Sequence, residues 1–518
     1  MAGSGISPRR QRRMRVLRPA FLFLLAAVTL GCVRPNPRTE QLPQTNVQEI
    51  SPEQQNTASV GSAALSAEQD QSLVSEEQDS APAVKEHVVS LGETLNTIAA
   101  QYGIDSATLM SLNKIEDGNL LLPGRVLMIP ETQHRESAPP ITPQSAGTNI
   151  ITDHELIYGP DARDFDIERF LQTYDGYLLA FEEEVEGQVL DGAGIVQLVA
   201  DRHSVNPKLL LALLEYTAGW LTQPTPAEDD YMLGHEQEGL EGLYKQLSWA
   251  ANMLNWGFYG RADGGMTSFL VAETELPFAP QISDGTAGVQ HFLGARDDIT
   301  YSEWLVDVGP DGLAATYRQL FGESSAEDKS ALLPDDLQQP PLLLPWQSGE
   351  TWYFTGGPHG GWNSGSAWAA LDFVPSDVDY GCVASDNWVT AVAGGIVARS
   401  GFGAVVLDLD GDGYPGSGWA VTYMHLDNQQ RIAEGTLVSP GDRLGHPGCE
   451  GGVTNGTHVH LARTYNGRWI SADGAIPFDL GGWISGGLGY EYNGWLKRND
   501  ETKTADVYHT EDNAIMAD

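Results

Sequence analysis

The sequence is poor in basic residues, in cysteine and in long apolar runs. Its 518 residues include 29 Lys and Arg against 70 Asp and Glu, which gives a formal net charge of −41. Proteins that bind nucleic acid need a basic surface, so this class of function is excluded. Three cysteines are too few for a disulfide-rich miniprotein. Beyond the N-terminus, no apolar run reaches the roughly 18 residues of a membrane-spanning helix.

The N-terminus has the pattern of an export signal that ends in a cysteine. Six arginines between positions 9 and 18 precede the apolar residues 20–30, which are too few to span a membrane. Residues 1–31 are therefore predicted to be a signal peptide. The residues Thr29-Leu30-Gly31-Cys32 resemble a bacterial lipobox, which implies acylation of Cys32 and an extracytoplasmic protein anchored to the membrane. An ordinary signal with a chance cysteine is the alternative.

Two segments have the composition of linkers. Residues 32–84 are rich in Gln, Ser, Glu, Pro and Ala and poor in aromatics, so they cannot bury a core and are predicted to be a disordered tether. Fully extended, such a tether reaches roughly 170 Å. Residues 132–159 contain a proline cluster and are predicted to be a second linker.

Residues 85–131 are predicted to form a small βααβ domain. Periodic apolar residues indicate two helices between short strands. The opening Gly92-Glu93-Thr94-Leu95, the pair Leu112-Asn113 and the turn at Pro123-Gly124 resemble a LysM domain in sequence and in order. The resemblance implies binding to N-acetylglucosamine chains of peptidoglycan or chitin. A βααβ fold without a ligand is the alternative.

Residues 160–330 have helical periodicity and are predicted to form an all-helical domain. Asn206 and Pro207 begin a helix whose many apolar residues predict burial. The segment VNPKLLLALLEYTAGW resembles the catalytic helix of lysozyme-like lytic transglycosylases, which implies Glu215 as a general acid. However, Tyr216-Thr217 replaces the usual Ser-Gly of that family. A structural or substrate-positioning domain is therefore the preferred interpretation.

Residues 345–496 are rich in glycine and tryptophan, and their alternating apolar residues predict a mainly antiparallel β domain. His458 and His460 lie two residues apart on a predicted strand, so both side chains face the same side of the sheet. Two imidazoles in an apolar strand are costly unless they bind something. A hydrolytic zinc site needs three N/O protein ligands and one open position for water. Two histidines and one aspartate meet that requirement.

The same segment resembles the lysostaphin-type zinc peptidases, which cut the peptides of peptidoglycan. That family combines a His…Asp element, an intervening histidine and a downstream HxH. The thirteen-residue spacing between His359 and Asp372 is similar to the β-lytic endopeptidase and staphylolysin branch. The resemblance implies three zinc ligands, namely His359, Asp372 and His460. It also implies that His425 and His458 form the catalytic pair.

Three further features complete the predicted C-terminal region. The carboxylates of Asp408, Asp410 and Asp412 alternate as in a calcium-binding loop, with a solvated acidic hairpin turn as the alternative. With Cys32 lipidated, Cys382 and Cys449 remain as a pair in an oxidising compartment, and we predict that they form a disulfide. Residues 497–518 are predicted to be a polar tail.

These features predict a multidomain α+β protein with a tether, a LysM domain, an all-helical middle domain and a mainly antiparallel β peptidase domain. The predicted function is that of an extracytoplasmic zinc metalloendopeptidase that hydrolyses peptide bonds in peptidoglycan stems or cross-bridges. The LysM domain and a lipid anchor would hold it at the wall. Two alternatives stay open: a non-catalytic envelope scaffold that activates amidases, and glycan cleavage by the helical domain.

Overall fold

The computed structural model describes residues 84–89, 95, 98, 99, 102, 106–115, 125–130, 146–226, 230–323 and 331–518. The predicted signal peptide, the lipidation site Cys32 and nearly all of the predicted tether lie outside these residues. Within the described part, no helix combines the length and the apolar character needed to cross a bilayer.

In the LysM-like region, the structure describes both predicted strands and one of the two predicted helices. Strand β1 (Val84–Val88) pairs antiparallel with β2 (Val126–Pro130), and helix α1 spans Ser106–Asn113. Its small core includes Ile98, Leu109 and Leu127, all fully buried. The side chain of Asn113 ties the helix to the sheet, because it accepts from the Met128 amide at 2.6 Å and donates to the Leu109 carbonyl at 2.9 Å.

The middle region is mainly helical but contains two short hairpins, so the prediction of an all-helical domain was wrong. Its helices are α2 (Asp153–Leu156), α3 (Ile167–Leu171), α4 (Gly192–His203), α5 (Pro207–Ala218), α6 (Leu243–Ala262), α7 (Asp284–Gly294), α8 (Tyr301–Asp307) and α9 (Leu313–Phe321). Single 3₁₀ turns lie at Pro160–Ala162 and Tyr177–Ala180. The hairpins are β3 (Glu182–Val185) with β4 (Gln188–Asp191), and β5 (Ser268–Val271) with β6 (Thr274–Pro277). Each hairpin strand has only four residues, too short for the periodicity of a strand to stand out in the sequence.

Local sequence explains the boundaries of α5, whose leucines are buried in the helical core. The side-chain oxygen of Asn206 caps its start by accepting from the Lys208 amide at 3.0 Å, and Pro207 occupies the first turn, where no amide proton is needed. Gly219 ends the helix in the left-handed conformation with φ of 68°.

The C-terminal region is built on one large antiparallel sheet. The strands of the whole region are β7 (Thr351–His359), β8 (Ala370–Pro375), β9 (Val389–Thr390), β10 (Gly395–Gly401), β11 (Ala404–Asp408), β12 (Trp419–Met424), β13 (Leu437–Val438), β14 (Arg443–Gly445), β15 (Val459–Tyr465), β16 (Arg468–Trp469), β17 (Asp479–Leu480), β18 (Trp483–Gly487), β19 (Gly494–Arg498), β20 (Glu501–Thr504) and β21 (Ala514–Met516). The order across the large sheet is β13-β10-β11-β12-β15-β8-β7-β21, and β16 pairs with β15. Strands β17 to β20 form a separate four-stranded sheet, and β9 pairs with β14.

The two faces of the large sheet pack against different partners. Side chains alternate between the faces of a strand, so on β15 Leu461 joins the core of the C-terminal region while Ala462 joins the core of the helical region. Ala370 of β8 and Met424 of β12 also belong to the helical core. The helices and the sheet therefore share one continuous apolar interior.

Two predicted boundaries need correction. The expected linker ends earlier than predicted, because Ile150 and Ile157 are buried in the helical core. The expected polar tail is folded: β21 pairs with β7 at the edge of the large sheet, and Ile515 and Asn513 are buried there. Polar composition alone indicated a tail, whereas the open edge of β7 gives these residues a partner for their backbone hydrogen bonds.

Candidate metal centre

The strand register brings three predicted ligands to one end of the large sheet. On β15, His460 lies directly opposite Asp372 of β8, and His359 at the end of β7 pairs with Ala370, two residues from Asp372. The three side chains lie on the same face of the sheet as Ala370 and Ala462, the face that packs against the helical region. All three residues are buried.

The ligand atoms of these three residues converge. His359 Nε2 lies 2.9 Å from His460 Nδ1 and 3.2 Å from Asp372 Oδ1, and the remaining edge, from His460 Nδ1 to Asp372 Oδ1, is 3.3 Å. Ligand atoms about 2.0–2.1 Å from a tetrahedral zinc ion are separated by about 3.3 Å. The spacing therefore fits three ligands of one zinc ion.

Backbone carbonyls fix which nitrogen of each ring faces this centre. His359 Nδ1 lies 2.8 Å from the Gly357 carbonyl and His460 Nε2 lies 3.1 Å from the Gly361 carbonyl. A carbonyl only accepts, so these nitrogens carry the protons and the opposite nitrogens present lone pairs. The buried Asp372 Oδ1 faces those lone pairs without a hydrogen-bond donor. Three acceptors pointing at one buried place fit a cation, and carbonyl-anchored imidazoles are typical metal ligands.

The electrostatics of the centre agree with a demand for positive charge. Burial disfavours the charged ring of His359, but the Asp372 carboxylate outweighs it and raises the pKa of this histidine. Burial also opposes ionisation of Asp372, yet His359 and His458 hold the pKa of its carboxyl well below its ordinary value. For His460, burial dominates and lowers the pKa. Asp372 is thus ionised at neutral pH, and His460 is a neutral ring, as a ligand must be. The raised pKa of His359 means that the Asp372 carboxylate stabilises positive charge beside it, which a proton on His359 or a cation at the centre would supply.

His425 and His458 lie beside the three ligands. His458 Nε2 is 3.6 Å from Asp372 Oδ1, and the rings of His425 and His458 have centroids 4.5 Å apart. Their Nδ1 atoms donate to the carbonyls of Glu450 and Gly456, at 3.0 and 2.8 Å. Each ring therefore keeps its Nε2 lone pair available. Burial and the neighbouring His458 lower the pKa of His425 to about 3, so this ring is neutral at pH 7.

The structure adds a tyrosine to the site that sequence reasoning missed. The ring of Tyr492 stacks on His359 with centroids 4.2 Å apart, and its backbone carbonyl accepts from the Gly357 amide at 2.8 Å. The residue as a whole is 53% exposed. It lies far along the chain from every histidine of the site and on no recognisable motif, so no sequence signal pointed to it.

The cysteine pair lies close in the chain to residues that contact His425 and His458, the predicted catalytic pair. Cys382 and Cys449 are disulfide-bonded in the structure, with Cα atoms 5.8 Å apart. Glu450, whose carbonyl accepts from His425, follows Cys449 directly. Thr457, next to His458, accepts from the Val383 amide at 2.9 Å. The bond thus joins the segment at 382–383 to the segment that carries His458 and contacts His425.

The acidic loop is arranged differently from the histidine centre. Its carboxylates, from Asp408, Asp410 and Asp412, come within 4.8 Å of one another. Loop amides already donate to all three: Gly413 donates to Asp408 at 2.8 Å, and Asp412 also pairs with Arg163 at 2.5 Å. These contacts give no support to the prediction of calcium, and they match the alternative of an acidic turn.

Glu215 does not have the free carboxylate that a general acid needs. Its oxygens accept from the amides of Leu221 and Thr222 at 2.9 and 3.2 Å and from the Thr222 hydroxyl at 2.6 Å. The carboxylate closes the turn that follows α5. This structural role argues against glycan cleavage at Glu215.

Comparisons with known proteins agree with the two modules predicted from sequence. A model of the LysM domain matches residues 87–130, and a model described as the LasA N-terminal domain matches residues 149–334. Protease LasA from two strains of Pseudomonas aeruginosa is 26% identical over 347 and 346 residues, which is 63% of this chain and 76% of the relative. The chain joins a LysM domain to a peptidase of the lysostaphin (LytM) type. The middle region of the chain is therefore similar to the N-terminal domain of LasA.

Shorter and structural similarities involve the same kinds of protein. A probable autolysin of Staphylococcus aureus is 35% identical over 72 residues, which is 14% of this chain and 27% of the autolysin. The solved structure of the M23 metalloprotease pseudoalterin is 28% identical, covers 32% of this chain and 96% of its own, and has a TM-score of 0.27. The catalytic domain of lysostaphin from Staphylococcus simulans is 23% identical and has a TM-score of 0.18. The match covers 24% of this chain and 89% of the lysostaphin domain.

Proposed function

We propose that the protein is an extracytoplasmic zinc metalloendopeptidase that hydrolyses peptide bonds in peptidoglycan stems or cross-bridges. The proposal assigns His359, Asp372 and His460 as zinc ligands and His425 and His458 as the catalytic pair. The single observation that carries it is the convergence of two imidazole lone pairs and a buried carboxylate oxygen without a donor. Apolar or hydrogen-bonded packing does not explain this arrangement, because buried acceptors facing one another are costly.

The catalytic pair supplies the proton chemistry in this proposal. A zinc ion held by His359, Asp372 and His460 would lower the pKa of a bound water toward about 7 and would polarise the scissile carbonyl. His425 and His458 both hold their Nδ1 protons on backbone carbonyls, which leaves their Nε2 lone pairs free. One Nε2 would accept the proton of the attacking water and later pass it to the leaving amine. The other ring, after taking a proton from solvent on its Nε2, would donate a hydrogen bond to the oxyanion of the substrate. Because both rings are fixed beforehand, little reorganisation is needed during the reaction.

The substrate class follows from the relatives and from the LysM module. The relatives include a protease and a probable autolysin, and the LysM domain implies binding to the glycan of peptidoglycan. We also propose that Cys32 is acylated and anchors the chain to the membrane. One LysM domain binds weakly by itself, and an anchor at the other end of a flexible tether raises its effective concentration at the wall. Cys32→Ala should move the protein from the detergent phase to the soluble fraction, and unchanged partitioning would exclude the anchor.

Two alternatives are less well supported. A non-catalytic scaffold would not need the three converging ligand atoms and two further histidines with free lone pairs. Glycan cleavage by the helical region would need a free carboxylate at Glu215, whose oxygens accept three hydrogen bonds.

Digestion of purified peptidoglycan by the full-length protein tests the proposal. A peptidase frees amino groups, a transglycosylase releases anhydro-sugars and a scaffold yields neither, so mass spectrometry of the fragments separates the three. Elemental analysis of the same preparation should find about one zinc ion per chain. Hydrolysis that persists in protein stripped of metal would overturn the zinc assignment.

A further inference from the structure

Arg202 links the helical region to the candidate metal centre. It lies in α4, is only 5% exposed, and forms a bidentate ion pair with Glu186 at 2.7 and 2.9 Å. It also hydrogen-bonds the hydroxyl of Tyr244. Glu186 and Tyr244 belong to the helical region too, so the guanidinium is held firmly on that side.

The other side of the guanidinium contacts two loops of the peptidase region. Its central carbon lies over the ring of Trp362, 5.0 Å from the ring centroid, and over the ring of Phe402 at 5.6 Å. Its Nη2 also donates to the Phe402 carbonyl at 3.4 Å. Arginine above an aromatic ring is attracted by the ring quadrupole, and the attraction grows when water is excluded.

The Trp362 loop leads directly to one zinc ligand. Trp362 follows Gly361, whose carbonyl accepts from Nε2 of His460 and so fixes which nitrogen faces the metal. A second contact from the helices holds the same loop, because Asn252 of α6 accepts from the Gly365 amide at 2.8 Å.

The Phe402 loop leads to the catalytic pair. Phe402 itself has a left-handed backbone with φ of 48°, and the carbonyl of Gly403 accepts from the amide of Leu426, the residue after His425. A Cβ at Gly403 would come within 2.2 Å of the backbone of Glu450, so the two segments are in close contact. The Glu450 carbonyl accepts from His425 Nδ1.

We propose that Arg202 is a positioning residue that holds the Trp362 and Phe402 loops and, through them, the ring orientations of His460 and His425. The helical region is then a working part of the peptidase. This inference deepens the proposed function and, as far as metal and catalysis are concerned, rests on it. Partners outside the first ligand shell typically change metal affinity or activity by about 10- to 100-fold when they are lost.

The test compares Arg202→Met with the neighbouring Asp201→Asn in the full-length protein. Asp201 accepts from Arg399 of β10 at 2.7 Å and from Gln197 at 2.8 Å, and neither of these partners lies in the Trp362 or Phe402 loop. Arg202→Met should raise the zinc dissociation constant and lower kcat, each by about 10-fold, with KM nearly unchanged. Arg202→Lys, which cannot pair bidentately, should give an intermediate effect. Asp201→Asn should stay within about twofold of the wild type, in line with the small effects of partly exposed ion pairs.

Hydrogen exchange of the metal-free proteins separates this inference from the proposed function. The amides of Gly361, Trp362 and Leu426 are hydrogen-bonded within the two loops, and Arg202→Met should make them exchange faster while Asp201→Asn leaves them unchanged. This readout needs neither zinc nor peptidase activity. Equal exchange and equal zinc affinity in the two variants would overturn the inference even if peptidoglycan is cleaved. If Arg202→Met does not fold, Glu186→Gln removes the bidentate partner and should give the same changes at smaller size.

Discussion

The histidine centre and the acidic loop both place three potential ligand atoms within 4.8 Å of one another. They differ in what else those atoms contact. In the histidine centre, two backbone carbonyls bind the outer ring nitrogens, and the inner acceptors face one another without a donor. In the acidic loop, neighbouring amides and Arg163 already donate to the carboxylates. Proximity of ligand types is therefore a weak criterion, and the hydrogen-bond state of each ligand atom distinguishes the two places.

Replacing a ligand of the histidine centre should give the largest effect. His460→Ala removes one of three protein contacts to the metal, so zinc should be lost and hydrolysis should fall by at least about 10³-fold. His359→Ala should behave in the same way. The matched control is Asp410→Asn, which changes a ligand type in the acidic loop and should keep both zinc and activity. Loss of zinc from Asp410→Asn, measured by elemental analysis, would erase the distinction between the two places.

Replacing a member of the catalytic pair should uncouple activity from metal content. His458→Ala and His425→Ala leave all three ligands in place, so zinc should stay near one per chain. Loss of one acid–base or oxyanion partner typically costs about 10² to 10⁴ in rate. Peptidoglycan hydrolysis and metal content are to be measured on the same samples. If His458→Ala lost zinc while His460→Ala kept it, the assigned roles would be reversed.

Removing the disulfide should lower stability more than it lowers zinc binding. The bond closes a loop with a sequence separation of 67 residues. In the chain-entropy model a loop of this length contributes about 4 kcal/mol to the free energy of unfolding. Cys382→Ser with Cys449→Ser should show this loss in chemical denaturation. A change below about 1 kcal/mol would contradict the chain-entropy expectation for this pair.

Calcium should have the smallest effect, because the acidic loop needs no ion to satisfy its carboxylates. A ligand that binds only the folded state raises Tm. Adding calcium to the full-length protein should leave Tm unchanged, and adding zinc to metal-free protein should raise it. A rise with calcium that Asp412→Asn abolishes would show that the loop is a second cation site.

Asp408 offers a pH test of the same loop. Burial, together with the neighbouring Asp410, raises the pKa of its carboxyl to about 6. An acid whose folded pKa is raised holds its proton to higher pH in the folded state than in the unfolded chain, so its contribution makes stability fall as pH rises from about 4 to 6. Asp408→Asn should remove this part of the pH dependence. Identical pH profiles of Tm for the variant and the wild type would contradict the raised pKa.

Much of the site could be predicted because its signals are local in sequence. Side chains alternate along a strand with a period of two, so the HxH at 458–460 places two imidazoles on one side of it. The spacing of His359 and Asp372 resembled that of a known branch of peptidases. Glu215 shows the limit of such matching, since a helix that resembled a catalytic one uses its glutamate to close a turn. Tyr492 shows the opposite limit, since a residue without any motif stacks on a ligand.

The sequence by itself determined the order of the LysM-like, middle and C-terminal regions and the residue types at the candidate metal centre, because composition, periodicity and spacing are properties of the chain. Only the tertiary structure decided which ligand atoms lack donors, because that depends on carbonyls and amides brought from other strands. It also decided that the helices share a core with the sheet and that residues 514–516 complete it. Such contacts join residues far apart along the chain, such as Arg202 and Trp362, and no local pattern encodes them.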